Sequence, residues 1–175
     1  MTDVYRLATV NDAERLLDLT LRAYEPIRKL NIPFTAATAT LDVVLDNIKN
    51  SHCYVLERDG LIIATITHRE IESITKWPFL WWFAVEPNEK SKGVGSKLLK
   101  WVEEEVVRDQ LGEPAVTLAT STRHPWLVSM YERKGYVCFY EVQSEQDDIV
   151  FLRKVLIPHL YERQKGEREL VKIEQ

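Results

Sequence analysis

The stretch that most constrains this chain is Phe83-Ala-Val-Glu-Pro-Asn-Glu-Lys-Ser-Lys-Gly-Val-Gly-Ser-Lys-Leu-Leu99. An apolar, strand-like run breaks at Glu86-Pro87 and passes through a basic turn with two glycines. It then opens into a helix with Val94, Leu98, Val102 and Val106 on one face. Glycines at 93 and 95 let a backbone approach a ligand with no Cβ in the way. First-turn amides of a helix lack helical partners and carry the positive end of its dipole, so the turn suits an anion, most naturally a phosphate or pyrophosphate. Lys90, Lys92 and Lys97 add cationic charge around it. A dinucleotide fingerprint would need Gly or Ala at position 98, where Leu stands, and would open a parallel βαβ unit. A Gly-x-x-x-x-Gly-Lys-Ser/Thr phosphate loop fails on spacing, and a bare glycine turn entering a helix stays open.

Around this turn the apolar period changes from helical to strand-like and back. Val4 to Leu7 reads as a strand, and Asp12 to Leu30 as a helix that Pro26 should bend or end. Asn31 to Thr35 reads as a loop and Thr40 to Ile48 as a second amphipathic helix. Cys53–Leu56 and Leu61–Ile71 form a hairpin about Asp59-Gly60, followed by an aromatic strand, Phe79 to Val85. Gly93 to Val107 is helical, Ala115 to Thr120 a strand, and Pro125 to Lys134 a short helix ending at Gly135. Two strands, Tyr136–Val142 and Ile149–Leu156, flank the acidic turn Ser144 to Asp148. A hairpin-built part followed by one crossover predicts an α/β (α+β) fold. Its sheet is mixed and mostly antiparallel, with about seven strands and helices on both faces.

With 175 residues the chain makes one domain, placed at 1–157, and a charged tail, 158–175, expected to be a frayed helix or disordered. Neither a signal peptide nor a run of ~20 apolar residues is visible, so the expectation is a cytoplasmic protein with no membrane partner. A net charge of −4 weakens nucleic-acid binding, and so does the lack of an aromatic platform beside the lysines. Cys53 and Cys138 read as reduced core thiols, and neither Cys nor His spacing suggests a metal site.

Lys90-Ser-Lys-Gly93-Val-Gly95 and, farther on, Met130-Tyr131-Glu-Arg-Lys-Gly135-Tyr136 together resemble the GNAT superfamily of N-acetyltransferases. That family's first signature is Gln/Arg-x-x-Gly-x-Gly/Ala, and this chain has Lys at 90. Seven residues before its Tyr the family often has Asn, where this chain has His124. The resemblance covers roughly residues 3–155 and implies transfer of an acetyl group from acetyl-CoA to a primary amine in a ternary complex. The acceptor would be a small molecule or a peptide or protein; a homodimer is compatible with the sequence.

By resemblance, pantetheine would lie along Phe83, Ala84 and Val85, with an amide near Val85 facing the thioester oxygen. Lys90, Ser91, Lys92, Gly93, Val94, Gly95 and Ser96 would surround the pyrophosphate. Tyr131 would be the general acid for the thiolate, or else a packing residue. His124 would either hydrogen-bond pantetheine or Tyr131, or cap the helix that starts at Pro125. Candidate bases are Glu70 and Glu72, which strand alternation groups with His68, and Glu86; water leading to bulk is the alternative. Tyr24, Phe34, Trp77 and Trp82 could wall an acceptor pocket suited to an apolar or cationic amine. A catalytically degenerate acyl-CoA sensor or protein-interaction module is the competing reading.

Overall fold

A computed structural model of the chain describes residues 1–124, 126–145 and 147–168. Its strands are β1 (Asp3–Leu7), β2 (His52–Arg58), β3 (Leu61–Ile71), β4 (Thr75–Val85), β5 (Ala115–Ser121), β6 (Val137–Gln143) and β7 (Asp148–Val155). All seven join one mixed, mostly antiparallel sheet, as expected from the sequence, in the order β1-β2-β3-β4-β5-β7-β6. β1, β2 and β3 pair antiparallel, as do β5, β7 and β6. The parallel ladder between β4 and β5 pairs Phe79 with Thr117 and Leu80 with Leu118. The helices are α1 (Ala13–Ala23), α2 (Glu25–Lys29), α3 (Leu41–Asn50), α4 (Val94–Trp101), α5 (Leu127–Arg133) and α6 (Pro158–Arg168). The residues cluster into two compact units: Met1–His68 with Trp81–Lys100, and Arg69–Leu80 with the chain from Trp101 onward.

In the first unit, Asp59 and Gly60 both take positive φ, 50° and 82°, as a two-residue hairpin turn between right-twisted strands requires. The helical stretch Asp12–Leu30, which Pro26 was expected to bend or end, divides at Tyr24, because Pro26 tolerates only the first turn of a new helix. The Thr40 hydroxyl caps α3 by accepting from the Val43 amide at 3.4 Å. Leu16 and Leu19 of α1, Val44 of α3, and Val55 and Ile62 of the hairpin pack with Trp82 and Ala84.

Strict alternation would put Trp81 and Trp82 on opposite faces of β4. Trp82 instead sits at φ 55°, a left-handed kink within the strand, and both indoles pack on this same cluster. The Trp82 Nε1–H donates to Thr20 Oγ1 at 2.9 Å, which holds the kink against α1.

In the second unit, β4 starts earlier than expected and carries Trp77 into a cluster with Ala115 and Tyr161. Tyr161 belongs to α6, so Pro158–Arg168 is a docked helix rather than a frayed one. Arg168 closes it, with its guanidinium 4.0 Å from the Trp77 ring and 2.6 Å from Glu113 Oε2. Residues 169–175 of the expected tail lie outside the described residues. After α4 the helix widens into π geometry over Val102–Gln110, where an ordinary helix was expected. Cys53 is buried as expected; Cys138 is exposed on β6 instead.

Candidate active site

The two glycines of the basic turn do different jobs. Gly93 takes φ 78°, and a Cβ built there meets nothing within 4 Å, so glycine serves the backbone conformation. A Cβ on Gly95 would stand 3.0 Å from Val85 Cγ2 and 3.2 Å from Phe83 Cζ. That glycine lets α4 press onto β4, so its bare face meets the protein rather than a ligand. The Lys97 amide makes a helical bond to Gly93 O at 3.0 Å. The amides before it belong to the first turn, which helical geometry leaves without i−4 partners. Val94 is buried and anchors the turn, while Lys90, Ser91, Lys92, Gly93 and Ser96 face solvent. Lys92 pairs with Glu89 at 3.7 Å, an acidic neighbour that tempers the basic turn.

Along β4, Phe83 and Val85 are half-buried, whereas Ala84 belongs to the core. The Tyr24 hydroxyl donates to the Phe83 carbonyl at 3.0 Å, and its ring meets Phe34 edge-on, centroids 6.5 Å apart. Tyr24 and Phe34 therefore stand together, packed on Ile27, Ile32 and Ala37. Trp77 and Trp82 do not form an open wall. Trp77 is 1% exposed, locked beneath Tyr161 and Arg168, and Trp82 is tied to Thr20 inside the core.

Glu86 also has other work. Its carboxylate takes Arg22 Nη2 at 2.8 Å, a second contact from Arg22 Nη1, and Arg15 Nη2 at 3.0 Å. The Arg22 hydrogen bond, followed by its charge and the Arg15 contacts, holds this carboxyl below the usual range and makes it a poor proton acceptor. Glu70 is exposed at the end of β3, and Glu72 lies beyond the strand, so alternation does not group it with Glu70 and His68. His68 is buried and stacked on its register partner His52, centroids 4.4 Å apart.

Tyr131 lies on α5, 7% exposed, with its ring edge-on to Tyr136 at 5.6 Å. Burial, and then the charge of Glu103, push its phenol well above the usual range, so it keeps its proton throughout physiological pH. His124 is buried with its ring 4.4 Å from Trp126, edge-on. Trp126, rather than His124, occupies the cap position of α5; Pro125 lies outside the described residues.

Two groups escaped sequence reasoning: the Arg15–Arg22–Glu86 cluster and the buried Glu103. The second had a visible signal, since Glu103 lies four residues from both Leu99 and Val107, inside the apolar stripe of its helix. Among the described residues, no group of three or more His, Cys, Asp or Glu could hold a metal ion, and no helix is long and apolar enough to cross a membrane.

Residues 14–136 match the model of the acetyltransferase (GNAT) family. The chain belongs to that family, and it is an acetyl-CoA-dependent N-acetyltransferase that transfers the acetyl group to an amine. It is 58% identical over 157 residues to the S-(2-succino)cysteine N-acetyltransferase of Bacillus subtilis (strain 168), covering 87% of this chain and 95% of that protein. It is 49% identical over 164 residues to the S-alkylcysteine N-acetyltransferase of the same organism, covering 91% and 92%. In fold it is similar to the ribosomal-protein-S18-alanine N-acetyltransferase from Escherichia coli, with TM-score 0.71, 14% identity, and 89% and 95% of the two chains covered. PaiA N-acetyltransferase from Thermoplasma acidophilum in complex with coenzyme A matches with TM-score 0.66 and 17% identity, covering 89% and 99%.

Proposed function

We propose that this enzyme acetylates the α-amine of an S-substituted cysteine. The observation that carries this reading is the 58% identity, over nearly the whole length of both chains, to a protein named for acetylating S-(2-succino)cysteine. In this reading residues 1–157 form the acetyltransferase domain, residues 158–175 a charged tail, and the cytoplasm supplies acetyl-CoA.

The turn from Lys90 to Ser96 takes the pyrophosphate on its first-turn amides, and pantetheine runs along Phe83–Val85. The acceptor nitrogen attacks the thioester carbonyl carbon, the C–S bond breaks, and the sulfur leaves as thiolate. Tyr131 donates its phenolic proton to that thiolate and recovers one from solvent. Tyr24 and Phe34 present an aromatic surface for the S-substituent.

The α-amine of an amino acid is less basic than a lysine-type amine, which titrates at about 10.4. More of it is therefore neutral near pH 7, and its proton leaves through water. No carboxylate base is needed, which fits Glu86 being held ionised by two arginines.

The test is thiol release from acetyl-CoA with S-(2-succino)cysteine, S-methylcysteine, spermidine and an alanine-terminated peptide, each against a protein-free control. The expected result is a kcat/KM for the cysteine derivatives more than about tenfold above the others, a gap of about 1.4 kcal/mol in transition-state stabilisation. Preference for the peptide or the polyamine overturns the assignment.

A further inference from the structure

We infer that Glu103, anchored between Tyr136 and Lys154, is a positioning residue that sets the place of the Tyr131 phenol. This rests on Tyr131 acting as the acid in the proposed reaction.

Glu103 lies in the π-helical segment and its side chain is 4% exposed. Tyr136 Oη donates to its Oε2 at 2.6 Å, and Lys154 Nζ from β7 donates to its Oε1 at 2.9 Å. Both carboxylate oxygens are therefore engaged, by a helix-flanking tyrosine on one side and a strand lysine on the other. The Lys154 ammonium also lies 5.9 Å from the Tyr136 ring centroid.

Tyr136 is coupled to Tyr131 twice. Their rings meet edge-on, and the Tyr136 amide donates to the Tyr131 carbonyl at 3.1 Å, while Gly135 N donates to Glu132 O at 3.1 Å. These two bonds form a closed C-terminal cap on α5. Glu103 thus fixes Tyr136, and Tyr136 fixes both the backbone and the ring of Tyr131. A seven-residue helix has little rigidity of its own, and a misplacement of about 1 Å in a catalytic group can cost on the order of 10²-fold in rate.

Stability alone does not call for this arrangement. Position 103 falls on the apolar stripe, and a buried ion pair is often no more stabilising than a well-packed apolar side chain. π-Helical widenings are frequent at functional sites.

The experiment measures kcat and the KM for acetyl-CoA, with S-methylcysteine as acceptor, in Glu103→Gln, Tyr136→Phe, Tyr131→Phe and the double variant Glu103→Gln/Tyr131→Phe. Thermal melts accompany each. The expected result is a fall in kcat of about tenfold for Glu103→Gln and Tyr136→Phe, with KM within about twofold. In the Tyr131→Phe background, Glu103→Gln should cost no further activity, because its effect passes through the missing hydroxyl. Lower melting temperature with unchanged kcat overturns the inference, and so does a loss that adds fully to that of Tyr131→Phe. Should Glu103→Gln fail to fold, Tyr136→Phe keeps the ring and carries the test. A Tyr131→Phe enzyme with full turnover instead removes the acid itself, a failure of the proposed reaction that this arm reads separately.

Discussion

Arg22 and Glu86 meet through two parallel contacts, Nη2 to Oε2 at 2.8 Å and Nη1 to Oε1, with Arg15 adding a third contact at 3.0 Å. The pairing ties α1 to the end of β4 just where the chain enters the basic turn. Glu86→Gln should therefore weaken the fold rather than the chemistry. Losing the charge beside two partly exposed arginines should cost on the order of 2 kcal/mol, with kcat within about twofold of wild type. Loss of a true general base would cost about 10²-fold or more. The folded-state pKa is depressed below its ordinary 4.5, so this stabilisation is present above that pH and fades as pH falls through the folded value. Thermal melts of wild type and variant should differ most above pH 5 and converge in acid.

The glycines at 93 and 95 should separate cleanly. Gly93→Ala places a Cβ in open space but in the left-handed region, at a cost of about 1–2 kcal/mol in a turn whose shape presents the amides. Gly95→Ala gains about 0.5–1 kcal/mol of helix propensity, yet its Cβ lies 3.0 Å from Val85 Cγ2, a branched side chain with little room to retreat. Overpacking of that kind costs about 1–3 kcal/mol and wins. Calorimetric titration with acetyl-CoA should show weakened binding for both variants. In Gly95→Ala it should come with a lower melting temperature and a shifted β4. A Gly95→Ala protein more stable than wild type would contradict this packing.

Element order, the hairpin turn at Asp59-Gly60 and the helix break near Pro26 were legible because each depends on local chemistry: period, turn residues, a missing amide. The basic turn was legible for the same reason. The kink at Trp82 was not, since nothing in a run of aromatic residues marks which one adopts positive φ; tertiary packing of both indoles on one cluster decides it. Trp77 reads as a candidate pocket wall and the tail as a frayed helix or disordered, because nothing local in the sequence links positions 77 and 161. In the fold, Tyr161 packs with Trp77, and Arg168 lies over the Trp77 ring and against Glu113. Glu86 shows the same limit of local reading: it is adjacent in sequence to the strand, but its partners Arg15 and Arg22 come from a helix some 64 to 71 residues away.

Tyr131→Phe removes one oxygen from a ring that is otherwise fully packed, so the fold and the affinity for acetyl-CoA should survive, the latter within a few-fold. If the phenol protonates the leaving thiolate, kcat should fall by about 10²-fold or more. Because burial and Glu103 hold the phenol protonated well beyond its usual range, the wild-type rate should show no loss attributable to Tyr131 up to pH 10. Above that, the unfolded chain ionises Tyr131 while the folded one does not, and this contribution to stability falls with rising pH. Rate measurements between pH 6 and 10 on both proteins check this: an alkaline limb below pH 9 that disappears in the variant would show an easily ionised Tyr131 and sink the assignment.

His68 supplies the acid counterpart. It is 5% exposed, stacked between His52 and Tyr54, and burial followed by repulsion from His52 lowers its pKa from 6.5 to about 4. A depressed folded value means that the unfolded chain takes up a proton first as pH falls. The stability that neutral His68 contributes is thus fully present above pH 6.5 and is lost progressively down to about pH 4. The full loss is on the order of 3 kcal/mol, a large share of a typical domain's stability. His68→Gln cannot take up that proton, so its unfolding free energy should stay flatter across the same window even if it starts lower at pH 7. Urea titrations at pH 7, 5.5 and 4.5 measure the two slopes. Parallel slopes for wild type and variant would show that His68 protonates as easily in the fold as in the open chain, and that the stacked pair opens to admit the charge.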